Sequence, residues 1–126
     1  MADQIYRILV VDDDPGVREF VARALGRAGY DIETAVDGPE AIRRVEAAPR
    51  FDLFVLDIMM PGMRGDELAR RLHDRDRETK VLYITGYADQ FFALRPTLRA
   101  NEAVLVKPVS ITALLDAVSR RIQHTA

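Results

Sequence analysis

The stretch ILVVDDDPGVREF, residues 8–20, contains the transition that decides the fold. Its first four residues form a continuous aliphatic run, which is typical of a strand covered on both faces of a sheet. Asp14 and Pro15 then make a typical helix start, an N-cap followed by proline at the first helical position. Asp12 and Asp13 are left at the carboxyl end of a buried strand with no structural role.

Those neighbouring carboxylates raise a question of charge. Two unit charges about 4 Å apart repel by roughly 4 kcal/mol at an effective dielectric constant near 20. Asp12 and Asp13 therefore either face open water, as in a solvated turn, or bind something positive between them.

The composition limits the kind of protein. The 126 residues are 48% hydrophobic and 30% charged, which fits one soluble globular domain with a buried core. The net charge of −2 indicates no basic surface for nucleic acid. The lack of cysteine excludes disulfides and zinc–cysteine sites. Neither a signal peptide nor a membrane span is present in the hydropathy pattern, so we expect a cytoplasmic protein without a membrane partner.

Apolar segments alternate with segments of helical periodicity along the chain. The predicted strands cover residues 6–12, 30–35, 51–57, 80–85 and 103–107. This order predicts an α/β fold, in which a five-stranded parallel sheet has helices on both faces and right-handed crossovers.

Breaker and capping residues mark the helices between these strands. Gly29 ends the first helix, and Asp37 with Glu40 forms a pattern like a capping box at the second. A turn in which Gly62 supplies a positive φ precedes a helix over about residues 66–75. The fourth helix starts near Asp89 and is interrupted around Pro96, and a fifth runs over about residues 111–122.

Ligands of such sheets bind outside the carboxyl ends of the strands. The polar residues at those ends are Asp12 and Asp13 after the first strand, Asp57 after the third, Thr85 after the fourth and Lys107 after the fifth. A threonine there is usually a cap and a lysine is usually a surface residue when each is taken alone. Their meeting at one edge favours a binding site over a solvated turn.

These residue types suit phosphoryl transfer. Three carboxylates from two strands form an oxygen pocket for a divalent cation, and Mg²⁺ is the expected occupant because no histidine or cysteine lies nearby. Lys107 adds a cation and Thr85 a hydroxyl, which can neutralise charge on a transferring phosphoryl group. Asp57 is placed to attack phosphorus in line and form an aspartyl phosphate.

Five segments make the chain resemble the receiver domain of two-component response regulators: ILVVDDDPGVR, AVDGPEAI, DLFVLDIMMPGMRGDE, YITGYAD and VLVKPVS. The resemblance covers essentially the whole chain. It implies a CheY-like, flavodoxin-like fold with strand order 2-1-3-4-5, and a single receiver domain over residues 1–126 without an effector domain. It also implies a signalling switch rather than an enzyme, with at most self-catalysed phosphorylation and dephosphorylation.

The resemblance also assigns roles to the residues at the sheet edge. Asp57 is the phosphoacceptor, and magnesium is held by Asp12, Asp13, Asp57 and the backbone carbonyl of Met59. Thr85 contacts the phosphoryl group. Lys107 pairs with that group and precedes a Lys107–Pro108 bond that is expected to be cis.

The same resemblance implies two partner surfaces. A histidine kinase or phosphotransfer protein is expected to dock near the first helix and the loop after the fifth strand. A downstream protein is expected on the fourth helix, the fifth strand and the fifth helix. Phe91 and Phe92 are neighbours and cannot both face one core stripe of the fourth helix, so we predict that one of them is exposed.

The chain departs from the family pattern at Val104. Family members commonly carry a tyrosine or phenylalanine three residues before the lysine, as a rotating switch. Val104 is β-branched and too short for that movement. Tyr87 lies two residues after Thr85, and we predict that its environment changes on phosphorylation.

Two other functions of such a site need features that this chain lacks. A haloacid-dehalogenase-type phosphatase needs an acidic residue where this chain has Met59, and a flavodoxin-like cofactor binder needs a phosphate-binding loop after the first strand. A phosphorylation-independent interaction module of the same fold stays open as the alternative. His73 and His124 are expected to be solvent-facing helix residues rather than phosphodonors.

Overall fold

Strands and helices alternate along the chain in the computed structural model, which describes residues 4–47, 50–94 and 98–123. The elements are, in order, β1 (Arg7–Val11), α1 (Pro15–Arg27), β2 (Asp31–Ala35), α2 (Gly38–Ala47), β3 (Leu53–Asp57), α3 (Gly65–Arg75), β4 (Val81–Thr85), α4 (Ala88–Leu94), β5 (Glu102–Val106) and α5 (Ile111–Gln123). His124 and the predicted break at Pro96 lie outside the described residues.

The five strands form one parallel sheet in the order β2-β1-β3-β4-β5. β1 lies between β2 and β3, so that Val11 pairs with Ala35 on one side and with Leu56 on the other. The α/β architecture and the strand order predicted from the sequence are confirmed.

Both faces of the sheet are covered, which explains the continuous aliphatic runs. Leu9 and Val11 contribute to a core beneath α2, α3 and α4. Ile8 and Val10 contribute to a second core beneath α1 and α5. Because successive side chains of a strand point to opposite faces, each central strand must be apolar at every position.

Local hydrogen bonds start the first two helices where the sequence predicts. Asp14 caps α1, and its Oδ1 accepts hydrogen bonds from the backbone N–H groups of Gly16 at 2.8 Å and Val17 at 3.4 Å. At α2, Asp37 Oδ1 accepts a hydrogen bond from the Glu40 N–H at 2.9 Å, and Glu40 Oε1 accepts one from the Val36 N–H at 2.8 Å. Asp14 therefore serves as the cap of α1, and this role distinguishes it from Asp12 and Asp13.

A close approach of backbone fixes the loop between β3 and α3. A Cβ atom on Gly65 would lie 2.0 Å from the Asp57 carbonyl oxygen, so only glycine fits there. The Gly65 N–H also donates to the Ile58 carbonyl at 2.9 Å. Gly62, with φ 79°, supplies the predicted turn that leads into this contact. Together they hold the backbone on the carboxyl side of Asp57.

Two apolar side chains of the helices stay outside the core. Phe20 on α1 is 39% exposed and Ile111 on α5 is 50% exposed. Among the described residues, no helix combines the length and the apolar character that a membrane crossing requires.

Candidate functional site

Four strand ends bring the candidate residues to one edge of the sheet. Asp12 follows β1, Asp57 ends β3, Thr85 ends β4, and Lys107 follows β5. The β5 end is tied to its neighbour because the Lys107 N–H donates to the Thr85 carbonyl at 2.8 Å. Parallel pairing therefore converts residues far apart in sequence into one cluster.

The three carboxylates come together as potential metal ligands. Asp12, Asp13 and Asp57 each offer an oxygen, and these oxygens lie within 4.8 Å of one another. Asp12 and Asp57 are buried, at 3% and 6% exposure, whereas Asp13 faces solvent. A set of hard oxygen donors with one exposed side fits Mg²⁺, which usually retains several waters when it is bound by one or two protein carboxylates.

Lys107 is the cation of this cluster. Its Nζ lies 3.5 Å from Asp57 Oδ1 and 3.7 Å from Asp12 Oδ2. One ammonium group thus faces two buried carboxylates, with a third close by. The negative charge exceeds the positive charge that the cluster itself provides.

The ionisation of both buried carboxylates reflects that imbalance. Burial, followed by the charge of Asp12, raises the pKa of Asp57 from 3.8 to about 6, although Lys107 opposes the shift. Burial also raises the pKa of Asp12, while the hydrogen bond from the Asp14 backbone N–H and the charge of Lys107 lower it. Desolvation therefore outweighs the nearby lysine at both positions.

Thr85 ends β4 at the same edge of the sheet. It is fully buried, and its Oγ1 accepts a hydrogen bond from the Tyr87 N–H at 2.9 Å. Tyr87 itself is 53% exposed on the loop that leads into α4. Any movement of the Thr85 hydroxyl therefore changes a contact with the backbone of Tyr87.

Met59 and Val104 occupy different surroundings. Met59 follows β3 by two residues and is 42% exposed. Val104 lies in the middle of β5, opposite Tyr83 of β4, and packs against the core beneath α3 and α4. The Lys107–Pro108 peptide bond is cis.

Two supporting residues were not singled out in the sequence. Gly65 permits the close approach at Asp57, and Arg18 Nη1 donates to the Asp12 carbonyl at 2.8 Å. A glycine directly before a helix, after an MPG turn, is a signal that could have been used for the first. The second depends on the path of α1 above β1 and has no signal in the sequence.

The prediction that His73 faces solvent is wrong. Its side chain is buried at 5% exposure, and its Nε2 lies 2.9 Å from the Thr79 carbonyl oxygen. α3 presents this face to the loop before β4, so the ring is enclosed by tertiary contacts that helical periodicity does not describe. Of the neighbouring phenylalanines, Phe91 is 1% exposed and Phe92 is 37% exposed, which confirms that one of them is outside the core.

The fold and this cluster of charges define a flavodoxin-like α/β domain with an acidic site at the carboxyl ends of its strands. A family model, the response regulator receiver domain, matches residues 8–119. The chain belongs to the response regulator receiver family. Receiver domains are signalling switches that interact with histidine kinases or phosphotransfer proteins, and phosphorylation and Mg²⁺ binding are general properties of the family.

Curated relatives cover different lengths. The chain is similar to the response regulator receiver protein CpdR of Brucella abortus, at 38% identity over 90% of this chain and 94% of that protein. It is 35% identical to the C4-dicarboxylate transport transcriptional regulatory protein DctD of Pseudomonas aeruginosa over 93% of this chain. The chain spans only 25% of DctD and 47% of the transcriptional regulatory protein TrcR of Mycobacterium tuberculosis.

Solved structures agree with the fold. A CheY-like response regulator receiver domain protein from Methanospirillum hungatei superposes with a TM-score of 0.81 at 30% identity, over 94% of both chains. The response regulator TrrA of Thermotoga maritima, crystallised in complex with Mg²⁺ and BeF, gives a TM-score of 0.82 at 34% identity, over 93% of this chain and 99% of that one. The predicted receiver family is confirmed.

Proposed function

We propose that Asp57 accepts a phosphoryl group from a phosphohistidine of a histidine kinase or phosphotransfer protein, in a reaction that requires Mg²⁺. The carrying observation is that Asp57 lies in a cluster with two other carboxylates and with Lys107 Nζ at 3.5 Å. TrrA, a relative with the same fold, was crystallised with Mg²⁺ and BeF, which supports this assignment.

The chemistry requires an ionised carboxylate. A carboxylate oxygen of Asp57 forms the new P–O bond while the P–N bond of the phosphohistidine breaks, and the leaving imidazole nitrogen keeps the electron pair of that bond. Because the pKa of Asp57 is about 6, the nucleophile is mostly ionised at pH 7 even before a metal binds. Lys107 contributes positive charge beside the developing charge on the phosphoryl oxygens.

Asp12, Asp13, Asp57 and the Met59 carbonyl would hold the metal. When bound, Mg²⁺ supplies the positive charge that offsets both the carboxylates and the phosphoryl oxygens. Self-catalysed phosphorylation from a small phosphodonor, and slow loss of the phosphoryl group to water, require no further catalytic residue of this chain.

The phosphodonor is proposed to dock between α1 and α5. A cavity of about 630 Å³ lies there, and Gly16 at the start of α1 is among its lining residues. Phe20 and Ile111 line it, and their exposure is accounted for if a partner covers them.

The downstream partner is proposed to bind α4, β5 and α5. Tyr87, Phe92 and Val106 are exposed apolar side chains in this region, at 53%, 37% and 54%. Phosphorylation would change this surface when Thr85 leaves the Tyr87 N–H and turns toward the phosphoryl oxygens. The chain is similar along nearly the whole length of CpdR, which is named a response regulator receiver protein.

Intact-mass analysis tests the phosphoacceptor. Incubation with acetyl phosphate and Mg²⁺ is expected to add one phosphoryl group to the wild type and none to Asp57→Asn, which keeps the shape of the side chain. Asp74→Asn, on the exposed face of α3, is the matched control and should gain the group normally. A phosphorylated Asp57→Asn variant would overturn the assignment, and an unmodified wild type would favour the phosphorylation-independent module.

A further inference from the structure

A polar network that is buried except at Arg99 lies beneath α3 and α4, away from the carboxylate cluster. We call it the Tyr83 network, and its members are Tyr83, Glu102, Arg99, His73 and Thr79. Tyr83 Oη donates a 2.8 Å hydrogen bond to Glu102 Oε2, and the Arg99 N–H donates to Glu102 Oε1 at 2.9 Å. The Arg99 guanidinium lies 3.6 Å from Glu102 and 3.5 Å from His73 Nδ1.

The network fixes the position of the tyrosine ring. The Glu102 side chain has no exposed area, and burying a carboxylate is favourable only when hydrogen bonds and charge compensate for the lost water. Both of its oxygens have donors, which are the tyrosine hydroxyl and the groups of Arg99. Because a satisfied buried network rigidifies its members, the Tyr83 hydroxyl is held at the start of β5.

The same ring contacts α4. Tyr83 and Phe91 are fully buried, and their ring centroids lie 5.1 Å apart with the planes tilted by 51°. α4 therefore packs on a side chain whose polar end is anchored in β5. A lateral displacement of α4 must either carry the Tyr83 ring along or break this ring contact.

Tyr83 also lies beside the proposed switch. It precedes Thr85 by two residues on β4, so both side chains point to the same face of the sheet. Val104 is its partner across the strands. Space vacated by Thr85 thus opens next to Tyr83, and Val104 is too short to fill it.

We propose that Tyr83 is a positioning residue for α4: its hydrogen bond to Glu102 holds the ring, and the ring holds α4 through Phe91 in the unphosphorylated arrangement. Phosphorylation shifts α4 against this restraint. The coupling to phosphate rests on the proposed function of Asp57, whereas the restraint on α4 in the unmodified protein does not.

Tyr83→Phe tests the restraint because it keeps the ring and removes only the hydroxyl. Amide hydrogen exchange in α4 is expected to accelerate by about threefold to tenfold in the unmodified variant, while exchange in β1 and β3 stays unchanged. Tyr30→Phe is the matched control, since Tyr30 packs on the opposite face of the sheet. Unchanged exchange in α4, or an equal rise throughout the protein, would overturn the proposal.

The affinity for beryllofluoride with Mg²⁺ tests the coupling. A ligand that favours the shifted state binds more tightly once a restraint on the other state is removed, so Tyr83→Phe should bind about threefold to tenfold more tightly than the wild type. A merely structural role predicts equal or weaker binding. If the wild type does not bind beryllofluoride, the proposed function fails, and the exchange experiment alone decides the restraint.

Phe91→Leu gives an independent route to the same contact, and it decides the matter should Tyr83→Phe not fold. It keeps an apolar side chain but removes the ring on which Tyr83 acts, so it should accelerate exchange in α4 and tighten beryllofluoride binding. The double variant should be no different from the stronger single variant, because both changes interrupt one chain of contacts. Additive effects of the two substitutions would contradict the proposed route.

Discussion

Asp57 and Glu102 are both buried carboxylates, yet their surroundings differ in kind. Glu102 has hydrogen-bond donors on both oxygens and a guanidinium at 3.6 Å. Asp57 has one ammonium at 3.5 Å and two further carboxylates within 4.8 Å. The charge of Glu102 is compensated by groups of the chain itself, whereas the carboxylates around Asp57 require positive charge from a bound ion. A carboxylate that the fold leaves undercompensated marks a binding site, and a compensated one marks a structural contact.

Removing Glu102 is expected to give the largest effect on stability. Glu102→Ala leaves the Tyr83 hydroxyl buried without this acceptor and separates Arg99 from its carboxylate. We expect the free energy of unfolding to fall by about 3 kcal/mol, because the buried tyrosine hydroxyl loses an acceptor and the truncated side chain leaves a cavity, while Arg99 keeps contact with solvent. Urea denaturation measures this change, with Glu78→Ala on the exposed loop before β4 as the control. A loss below about 1 kcal/mol would show that Glu102 is not compensated in the way the structure indicates.

Ionised Asp57 is expected to destabilise the protein, in contrast to Glu102, and this effect should depend on pH. Its folded pKa of about 6 lies above the ordinary value of 3.8, so the folded state binds this proton more strongly than the unfolded state does. The stabilisation is fully present below about pH 4 and is lost as pH rises through about 6. The difference between these two pKa values corresponds to a change in the free energy of unfolding of at most about 3 kcal/mol.

The measurement compares the wild type with Asp57→Asn in metal-free buffer. The variant should gain stability relative to the wild type as pH rises from 4 to 7, and the difference should then level off. Groups outside the cluster titrate alike in both proteins, so the difference between the two unfolding curves reports on Asp57 together with Asp12, whose ionisation is coupled to it. A difference that is constant across this range would mean that Asp57 ionises at its ordinary pKa in the folded state.

The sequence predicts the site of one of these carboxylates and not that of the other. Asp57 ends an apolar strand, and the carboxyl ends of parallel strands meet by topology alone, so the order of the strands is enough to group Asp12, Thr85 and Lys107 with it. Glu102, in contrast, begins a strand, and its partners come from the preceding loop and from the middle of β4. No periodicity connects them.

Because periodicity does not describe tertiary contacts, it also fails to predict how deeply some helix side chains are buried. Helical spacing assigned no core position to His73, because its burial depends on the loop that passes beneath α3. Phe20 and Ile111 also lie at helical spacing from other apolar residues of α1 and α5, although a cavity between the two helices leaves them open. Periodicity identifies the face of a helix that is apolar, whereas burial depends on how far the neighbouring helix extends over it.

Asp13 allows a smaller test of the undercompensated cluster. Asp13→Asn removes one of the three charges, and stability without metal should rise by less than about 1 kcal/mol because solvent screens this exposed group. Addition of Mg²⁺ should raise the melting temperature of the wild type through binding linkage, and that of the variant much less. Equal shifts in both proteins would remove Asp13 from the proposed metal ligands.

The smallest expected effect concerns Tyr87, whose backbone contacts Thr85 and whose ring is exposed. Its backbone N–H donates to Thr85 Oγ1, and its side chain is 53% exposed. If Thr85 turns toward phosphoryl oxygens, this hydrogen bond is lost and the loop that carries Tyr87 must move.

Beryllofluoride with Mg²⁺ mimics the phosphorylated state, and ring-labelled tyrosine reports on all four tyrosines of the chain. We expect the Tyr87 signal to shift, while Tyr6 and Tyr30, which pack on the opposite face of the sheet, keep theirs. The Tyr83 signal is also expected to shift, because a displaced α4 either carries the Tyr83 ring along or breaks its contact with Phe91. An unchanged Tyr87 signal beside clear shifts at Thr85 and Lys107 would show that the loop is a permanently exposed segment and that the signal leaves the site by another route.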